Sequence, residues 1–146
     1  MSQTDTIAPE LVLVRSFDAS PATVFDAWLS KSWGEWVGPP GIRGEVTLIE
    51  PHVGGRYQIV MHRPDGGTLT VSGTYREISR PNRLMFSWKW EHEEQETFVT
   101  LIFRDMAGKT ELTLKHEGFA NTERRDNHKQ GWTGTLEKLG GFLTKL

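Results

Sequence analysis

Two histidines are the side chains in this sequence best suited to proton chemistry. His116 falls on the inward-facing side of the last segment of alternating polarity, and His128 falls on the apolar stripe of a helical segment. Histidine titrates near neutral pH, so it can serve as an acid, a base or a hydrogen-bonding partner of a ligand. Two interpretations are open: a pair that faces a bound molecule, or core histidines whose ring nitrogens are satisfied by the protein.

Metal binding and nucleophilic catalysis are not indicated by the remaining residues. A metal centre needs three or four ligands at suitable spacing, and no H-x-E-x-H or similar pattern occurs. The chain has no Cys, which excludes disulfides, thiolate metal sites and cysteine nucleophiles. No Ser lies in a G-x-S-x-G motif. We therefore predict no catalytic residue, no metal site and no cofactor.

Aromatic residues are the informative excess in the composition, with six Trp and seven Phe. Such side chains supply large flat areas to cores and to ligand pockets. Strand parity and helical phase direct one set of side chains at a shared volume, because alternate strand residues and one helix stripe face the same way. The predicted ligand-binding set is Tyr57, Ile59, Val71, Tyr75, Phe86, Trp88, Leu101, Leu114, His116, His128, Trp132 and Leu136. A filled core of the same residues is the alternative interpretation.

The elements that would position this set follow from a change of hydrophobic period along the chain. From Glu45 to Glu117 the period is two and turn residues recur, which predicts an antiparallel meander of five or six strands. The acidic run from Glu91 to Glu96 is interpreted as a solvated hairpin tip. Asn121 can cap a final helix with one apolar stripe, and Trp132, the largest residue at the middle of that stripe, is predicted to anchor the helix. The stripe consists of Arg125, His128, Trp132, Leu136, Leu139 and Leu143. In that helix Gly131 could permit close backbone approach or leave room for a ligand, whereas Gly134 and Gly141 are predicted to face outward.

The segment before the meander is predicted to combine one strand with short helices. Leu11 to Phe17 is rich in Leu and Val and predicts a strand. Ser20 followed by Pro21 is typical of a helix start. Trp33 to Trp36 runs into Gly38-Pro39-Pro40-Gly41, where a helix or strand cannot easily continue, so this region is predicted as a loop rim. It could act as a mobile lid or simply plug the end of the sheet.

Length and charge limit the remaining possibilities. A chain of 146 residues fits one domain, so we expect a single domain over residues 1–146 with residues 1–9 flexible. The formal net charge of -2 gives no broad attraction for phosphate backbones or anionic lipid, so neither nucleic acid nor membrane is expected as a partner. The first residues lack the basic start and apolar run of a secretory signal, which makes a cytoplasmic location the expectation.

Several short segments, in order along nearly the whole chain, carry a resemblance to a known family. They are Arg15 to Pro21, Val24 to Trp28, Gly54 to Tyr57, Gly73 to Ile78, Pro81 to Leu84, and Gly131-Trp132 with Leu136 and Leu139. Together they resemble the family named after the activator of the heat shock protein 90 ATPase. That family belongs to the SRPBCC superfamily, which is similar to START and Bet v 1-like proteins.

The resemblance implies an α+β helix-grip fold. In this fold a curved antiparallel sheet of six or seven strands packs around a long C-terminal helix, and two short helices follow the first strand. It also implies a cavity between sheet and helix that often takes hydrophobic small molecules. Superfamily members include lipid and hormone binders, polyketide cyclases and dehydratases, and a co-chaperone domain linked to stress response. The fold alone does not choose among these functions.

Three function hypotheses follow. The first is binding of an unidentified hydrophobic small molecule between the sheet and the C-terminal helix. The second is a co-chaperone-like interaction module that acts on a chaperone or another protein partner. The third is an enzyme of the cyclase or dehydratase type that would use polar groups such as His116 or Tyr75. Convergent polar groups inside a cavity would favour the third hypothesis over the first.

Overall fold

The computed structural model describes residues 8–146. Short helices follow the first strand, six further strands come next, and a long helix ends the chain. In chain order the elements are β1 (Glu10–Phe17), α1 (Pro21–Asp26), a 3₁₀ turn (Ala27–Leu29), α2 (Trp33–Trp36), β2 (Arg43–Ile49), β3 (Arg56–His62), β4 (Thr68–Ser79), β5 (Arg83–Trp90), β6 (Thr97–Met106), β7 (Lys109–Glu117) and α3 (Thr122–Leu143). The expected flexible stretch at residues 1–9 lies, for residues 1–7, outside the described part of the chain.

All seven strands form one antiparallel sheet in the order β1-β7-β6-β5-β4-β3-β2. Strands β2 to β7 are a meander in which each strand pairs with the next one along the chain. The first strand instead pairs with the last, so that Leu13 lies opposite Leu114. This arrangement confirms the predicted α+β helix-grip fold with six or seven strands.

Helix α1 begins where the sequence indicated. The Ser20 side chain accepts a hydrogen bond from the Thr23 amide at 3.3 Å, and Pro21 occupies the first turn. The cap satisfies an amide that has no partner within the helix. Val24 and Phe25 on the opposite side are fully buried. The helix is therefore held by one polar cap and one apolar face.

Helix α3 lies across the inner face of the sheet. Its predicted cap is confirmed, because Asn121 Oδ1 accepts from the Arg124 amide at 2.9 Å. The predicted apolar stripe is buried from its centre to its end: Trp132, Leu136, Leu139 and Leu143 are each at most 6% exposed.

The prediction that Gly134 faces outward is wrong. Gly134 is buried against the loop that precedes β2, and a Cβ there would lie 2.8 Å from Pro40 Cδ and 2.9 Å from Pro39 Cα. The sequence pattern placed only the sheet against α3, whereas this loop covers a second side of the helix. Gly141 is exposed, as predicted, with open space around it.

The loop rim predicted at residues 33–36 is instead a short buried helix. Trp33 and Trp36 have no exposed surface, and neither does Trp28 from the preceding turn. The Trp33 ring lies 5.1 Å from the Tyr57 ring and 5.3 Å from the Phe86 ring. These tryptophans close one end of the sheet, so the plug interpretation describes this segment and the lid interpretation does not.

Within residues 8–146, no helix is both long enough and apolar enough to cross a membrane.

Candidate functional site

A cleft of about 490 Å³ opens between the N-terminal half of α3, strands β3 to β5 and the loop of residues 37–42. Buried and half-buried side chains form its floor, and exposed ones such as Pro39, Arg63 and Asn127 surround its mouth. The lining residues are Val37, Gly38, Pro39, Ile42, Met61, Arg63, Leu69, Trp88, Trp90, His92, Glu93, Arg124, Asn127, His128, Gln130, Gly131, Trp132 and Thr135.

Three indole rings dominate the floor. The Trp88 and Trp132 rings lie 4.9 Å apart between centroids, and Trp90 stands nearly perpendicular to Trp88 at 5.6 Å. Met61 and Leu69 add aliphatic surface from the neighbouring strands. Aromatic walls of this kind favour flat apolar molecules, since rings pack best edge to face or offset against other rings.

Gly131 keeps the helical side of the cleft open. It lines the cleft, and a Cβ added at this position would meet no atom within 4 Å. A larger residue here would project into space that is otherwise unfilled. No backbone approaches Gly131 closely, so of its two expected roles only the one of leaving room for a ligand stays a prediction.

The loop of residues 37–42 is fixed to α3 rather than hinged over the cleft. Lys138 Nζ donates to the carbonyl oxygens of Val37 and Ile42, each at 2.9 Å, and lies 3.5 Å from that of Pro39. Burial lowers the pKa of Lys138. Together with the contact of Gly134 against the two prolines, this amine makes the loop a firm wall.

His128 is satisfied through both ring nitrogens. Its Nε2 accepts from Trp90 Nε1 at 2.9 Å, and its Nδ1 lies 2.8 Å from the Arg124 carbonyl oxygen. Because an indole N–H can only donate and a carbonyl can only accept, the network assigns a neutral ring with the proton on Nδ1. Burial lowers the pKa of His128, which agrees with this assignment.

His116 is held in the opposite tautomer. Its Nδ1 accepts from Trp132 Nε1 at 2.9 Å, and its Nε2 lies 2.7 Å from Thr97 Oγ1. Thr97 Oγ1 donates to the Trp88 carbonyl at 3.0 Å, so the hydroxyl must accept from a proton on Nε2. Burial, followed by repulsion from His128, places the pKa of His116 well below its usual value.

The two histidines therefore brace the tryptophan floor and have no ring nitrogen available for a reactant. Their rings lie 5.3 Å apart between centroids, and each accepts one indole N–H. Protonating either ring would place two donors against each other. His116 matches the interpretation of a satisfied core histidine, whereas His128 is satisfied in the same way but is half-buried and lines the cleft.

The structure places three of the predicted ligand-binding residues on the cleft, namely Trp88, His128 and Trp132. The other nine lie in the packed interior, each at most 2% exposed: Tyr57, Ile59, Val71, Tyr75, Phe86, Leu101, Leu114, His116 and Leu136. Parity correctly directed these side chains inward. Around Tyr57 and Phe86 the interior is filled by Trp28 and Trp33, and none of the nine residues lines the cleft.

The two predicted tyrosines confirm the filled interior. Tyr57 donates to the Ser87 carbonyl at 2.6 Å, and Tyr75 donates to the Trp28 carbonyl at 3.1 Å. Burial raises the pKa of both hydroxyls. Both hydroxyls donate to backbone carbonyls in the interior, and neither presents a proton to the cleft.

Several cleft residues were missed by the sequence-based set. Trp90, Met61 and Leu69 share the inward parity of that set but were left out. Val37 and Ile42 come from the loop, which carries no periodic signal that could have placed them. Long-range packing of the loop against α3 decides their position.

The mouth of the cleft carries the charges. Arg124 of α3 forms an ion pair with Glu93 of the β5–β6 turn. Glu93 therefore joins helix to sheet, which corrects the interpretation of residues 91–96 as a purely solvated tip. On the other side Arg63, at the end of β3, lies 3.6 Å from Asp65. Within residues 8–146, no group of three His, Asp or Glu side chains is placed to hold a metal ion.

A seven-stranded antiparallel sheet that encloses a long C-terminal helix, with an aromatic cleft between them, defines the Bet v 1-like helix-grip class. The family model described as "Activator of Hsp90 ATPase homolog 1-like protein" matches residues 18–144. The chain belongs to that family, within the SRPBCC superfamily. No curated protein matches the chain significantly.

Solved structures similar to the chain agree with this assignment. The AHSA1 protein from Silicibacter pomeroyi is 28% identical, with a TM-score of 0.82 over 93% of this chain and 98% of its own. A protein from Rhodobacter sphaeroides is 27% identical, with a TM-score of 0.81 over 97% and 98%. A protein from Chromobacterium violaceum, 21% identical over 91% and 95%, shares the fold with a TM-score of 0.86.

Proposed function

We propose that this protein binds a hydrophobic small molecule in the cleft between its sheet and α3. The observation that carries the proposal is a cleft of about 490 Å³ whose floor consists of Trp88, Trp90 and Trp132. Small-molecule sites are typically clefts of roughly 300–1,000 Å³ with mostly apolar walls and few polar groups. The volume and the lining both fit this description.

Direct contact with the ligand is proposed for Trp88, Trp132 and the edge of His128. The nine predicted residues in the interior support the floor from behind. We propose that this binding domain spans residues 1–146 and that the protein functions in the cytoplasm. Enzymatic acid–base chemistry gains no support from the site, because His116 and His128 are neutral and use both nitrogens within the protein.

A titration tests the proposal with a matched pair of glycine substitutions. Gly131→Leu would fill the cleft, whereas Gly141→Leu would project from an exposed position on the same helix where a Cβ meets nothing within 4 Å. We expect uncharged phenylnaphthylamine, an aromatic fluorescent molecule, to bind the original protein saturably, with one molecule bound per protein chain. Gly131→Leu should abolish the binding and Gly141→Leu should retain it. Equal binding by both variants would overturn the proposal.

A second candidate is an interaction module for a chaperone. The family description names an Hsp90 ATPase activator, and Val12 and Val14, each 48% exposed, give the edge strand β1 an apolar outer surface. Ile102 extends this surface, since both Ile102 and Val14 lie opposite Thr113 in the sheet. This candidate predicts that the protein raises the ATPase rate of an Hsp90-class chaperone and that Val14→Lys removes the effect. An unchanged ATPase rate would exclude it.

A further inference from the structure

Charged groups of both signs surround the mouth of the cleft. Its charged lining residues include two guanidinium groups, Arg63 and Arg124, and one carboxylate, Glu93. Asp65 lies beside the cleft, 3.6 Å from Arg63, so the two guanidinium groups are matched in number by two carboxylates. What the mouth offers a ligand therefore depends on which of these charged groups keeps unused hydrogen-bond donors or acceptors.

The carboxylate of Glu93 is already neutralised. Glu93 pairs with Arg124, and these two side chains close the contact between α3 and the β5–β6 turn. The cation left with the weakest partner is Arg63. Its only carboxylate neighbour within residues 8–146 is Asp65, whose Oδ1 lies 3.6 Å from Arg63 Nε, beyond hydrogen-bonding distance.

Asp65 is also engaged elsewhere. The same Oδ1 accepts from the Gly67 amide at 2.8 Å, inside the β3–β4 hairpin. The Arg63 guanidinium lies over Gly67, where an added Cβ would be 2.5 Å from Nη2. Gly67 therefore leaves the space that the guanidinium occupies, and a Cβ there would push this flexible group aside. The planar group retains donors for a carboxylate or a similar oxyanion, which it can bind through two parallel hydrogen bonds.

Of the other polar side chains in the cleft, Asn127 and Gln130 carry amides that can donate as well as accept, and His128 and Thr135 are already bonded within the protein. Both nitrogens of His128 are occupied by Trp90 and by the Arg124 carbonyl, so this ring offers a ligand no acceptor. The Thr135 hydroxyl donates to the Gly131 carbonyl. An ammonium ligand could lie against the indoles by a cation–π contact, but it would meet Arg63 and Arg124 at the mouth. Donors and positive charge instead suit a group with several oxygen acceptors.

We propose that the ligand is a flat apolar acid, with its ring system on the tryptophan floor and its carboxylate or related oxyanion at Arg63. This inference rests on the proposed function, because it assigns a ligand class to the same cleft. Arg63 supplies the charge-assisted hydrogen bonds, and Gly67 leaves the space that its guanidinium occupies. The indoles supply the apolar contact.

The test compares two fluorescent molecules that share one ring system. Anilinonaphthalenesulfonate carries a sulfonate, and phenylnaphthylamine is the same framework without it. At low ionic strength we expect the sulfonate compound to bind more tightly, and added salt to weaken its binding alone. Arg63→Gln should lower its affinity about fivefold. The loss is no larger because water screens the charge of the partly exposed Arg63. The uncharged compound should be unaffected.

Two variants serve as controls. Arg104→Gln removes the same charge from an exposed position on β6, outside the cleft, and should change neither affinity. Gly67→Ala keeps the charge but displaces the guanidinium, so it should weaken the sulfonate compound selectively. If Arg63→Gln leaves that affinity unchanged, or weakens both compounds equally, the inference is overturned while the proposed function stands. If the uncharged compound fails to bind, or binds equally to Gly131→Leu, the proposed function itself fails.

Discussion

At the scale of single residues, Trp132 joins the floor of the cleft to the interior of the protein. It is 3% exposed, its ring packs against Trp88, and its indole N–H donates to His116. The sequence indicated Trp132 as the anchor of α3 because it is the largest residue at the centre of the stripe. The structure adds the hydrogen bond, which no periodicity can reveal.

We expect Trp132→Ala to lower the free energy of unfolding by about 3–5 kcal/mol, the usual range for a large buried aromatic. Trp132→Phe should cost less, because it retains ring contact while leaving His116 Nδ1 without its donor. Urea unfolding followed by circular dichroism measures both values. A loss below about 1 kcal/mol for the alanine variant would show that Trp132 does not anchor the helix.

The paired histidines predict a dependence of stability on pH. Burial lowers the pKa of His116 and of His128, so the unfolded chain binds protons at pH values where the folded protein does not. The stability that the two neutral rings contribute is complete above their unfolded-state pKa of about 6.5. It is lost as the pH falls toward their lower pKa in the folded protein. Each histidine can contribute a slope of at most about 1.4 kcal/mol per pH unit.

Urea unfolding between about pH 7.5 and 5.5 measures this slope. His128→Gln removes one titrating ring beside Arg124 and Glu93, and its stability should depend less steeply on pH than that of the original protein. Parallel pH profiles for the two proteins would contradict the assignment of His128 as a buried neutral ring.

At the scale of elements, α3 has two partners rather than one. Its stripe packs on the sheet, and Gly134 with Lys138 holds the loop of residues 37–42. Helical phase read from the sequence identified the stripe correctly. It could not identify the second contact, because Pro39 and Pro40 reach the helix from a loop nearly a hundred residues away in the chain.

Alanine substitutions at two glycines of α3 should have opposite effects. Gly141→Ala is exposed and should raise the free energy of unfolding by about 0.5–1 kcal/mol through better helix propensity. Gly134→Ala gains the same propensity, but its Cβ would overlap Pro39 Cα and Pro40 Cδ, which belong to a rigid backbone and ring. We expect it to destabilise the protein. Thermal melting of both variants measures these changes in stability. A higher melting temperature for Gly134→Ala would show that the loop of residues 37–42 can move away from α3.

At the scale of the whole molecule, the fold was accessible from the sequence and the position of the cleft only in part. The period of two, the Asn121 cap and the stripe around Trp132 are local signals, and each is confirmed. Parity also placed residues such as Tyr57 and Phe86 inside. It could not show what would face them, and Trp28 and Trp33 occupy that volume. The open cleft lies instead beside Gly131, in the N-terminal half of α3.

The most direct test of the proposed cleft uses the six indole N–H signals of a nitrogen-15 correlation spectrum, one for each Trp. On saturation with phenylnaphthylamine, we expect shifts for Trp88, Trp90 and Trp132, together with the Gly131 amide. The signals of Trp33 and Trp36, which lie in the filled interior, should remain in place. Saturable shifts confined to Trp33 and Trp36, or no saturable shift at all, would contradict a binding site between the sheet and α3.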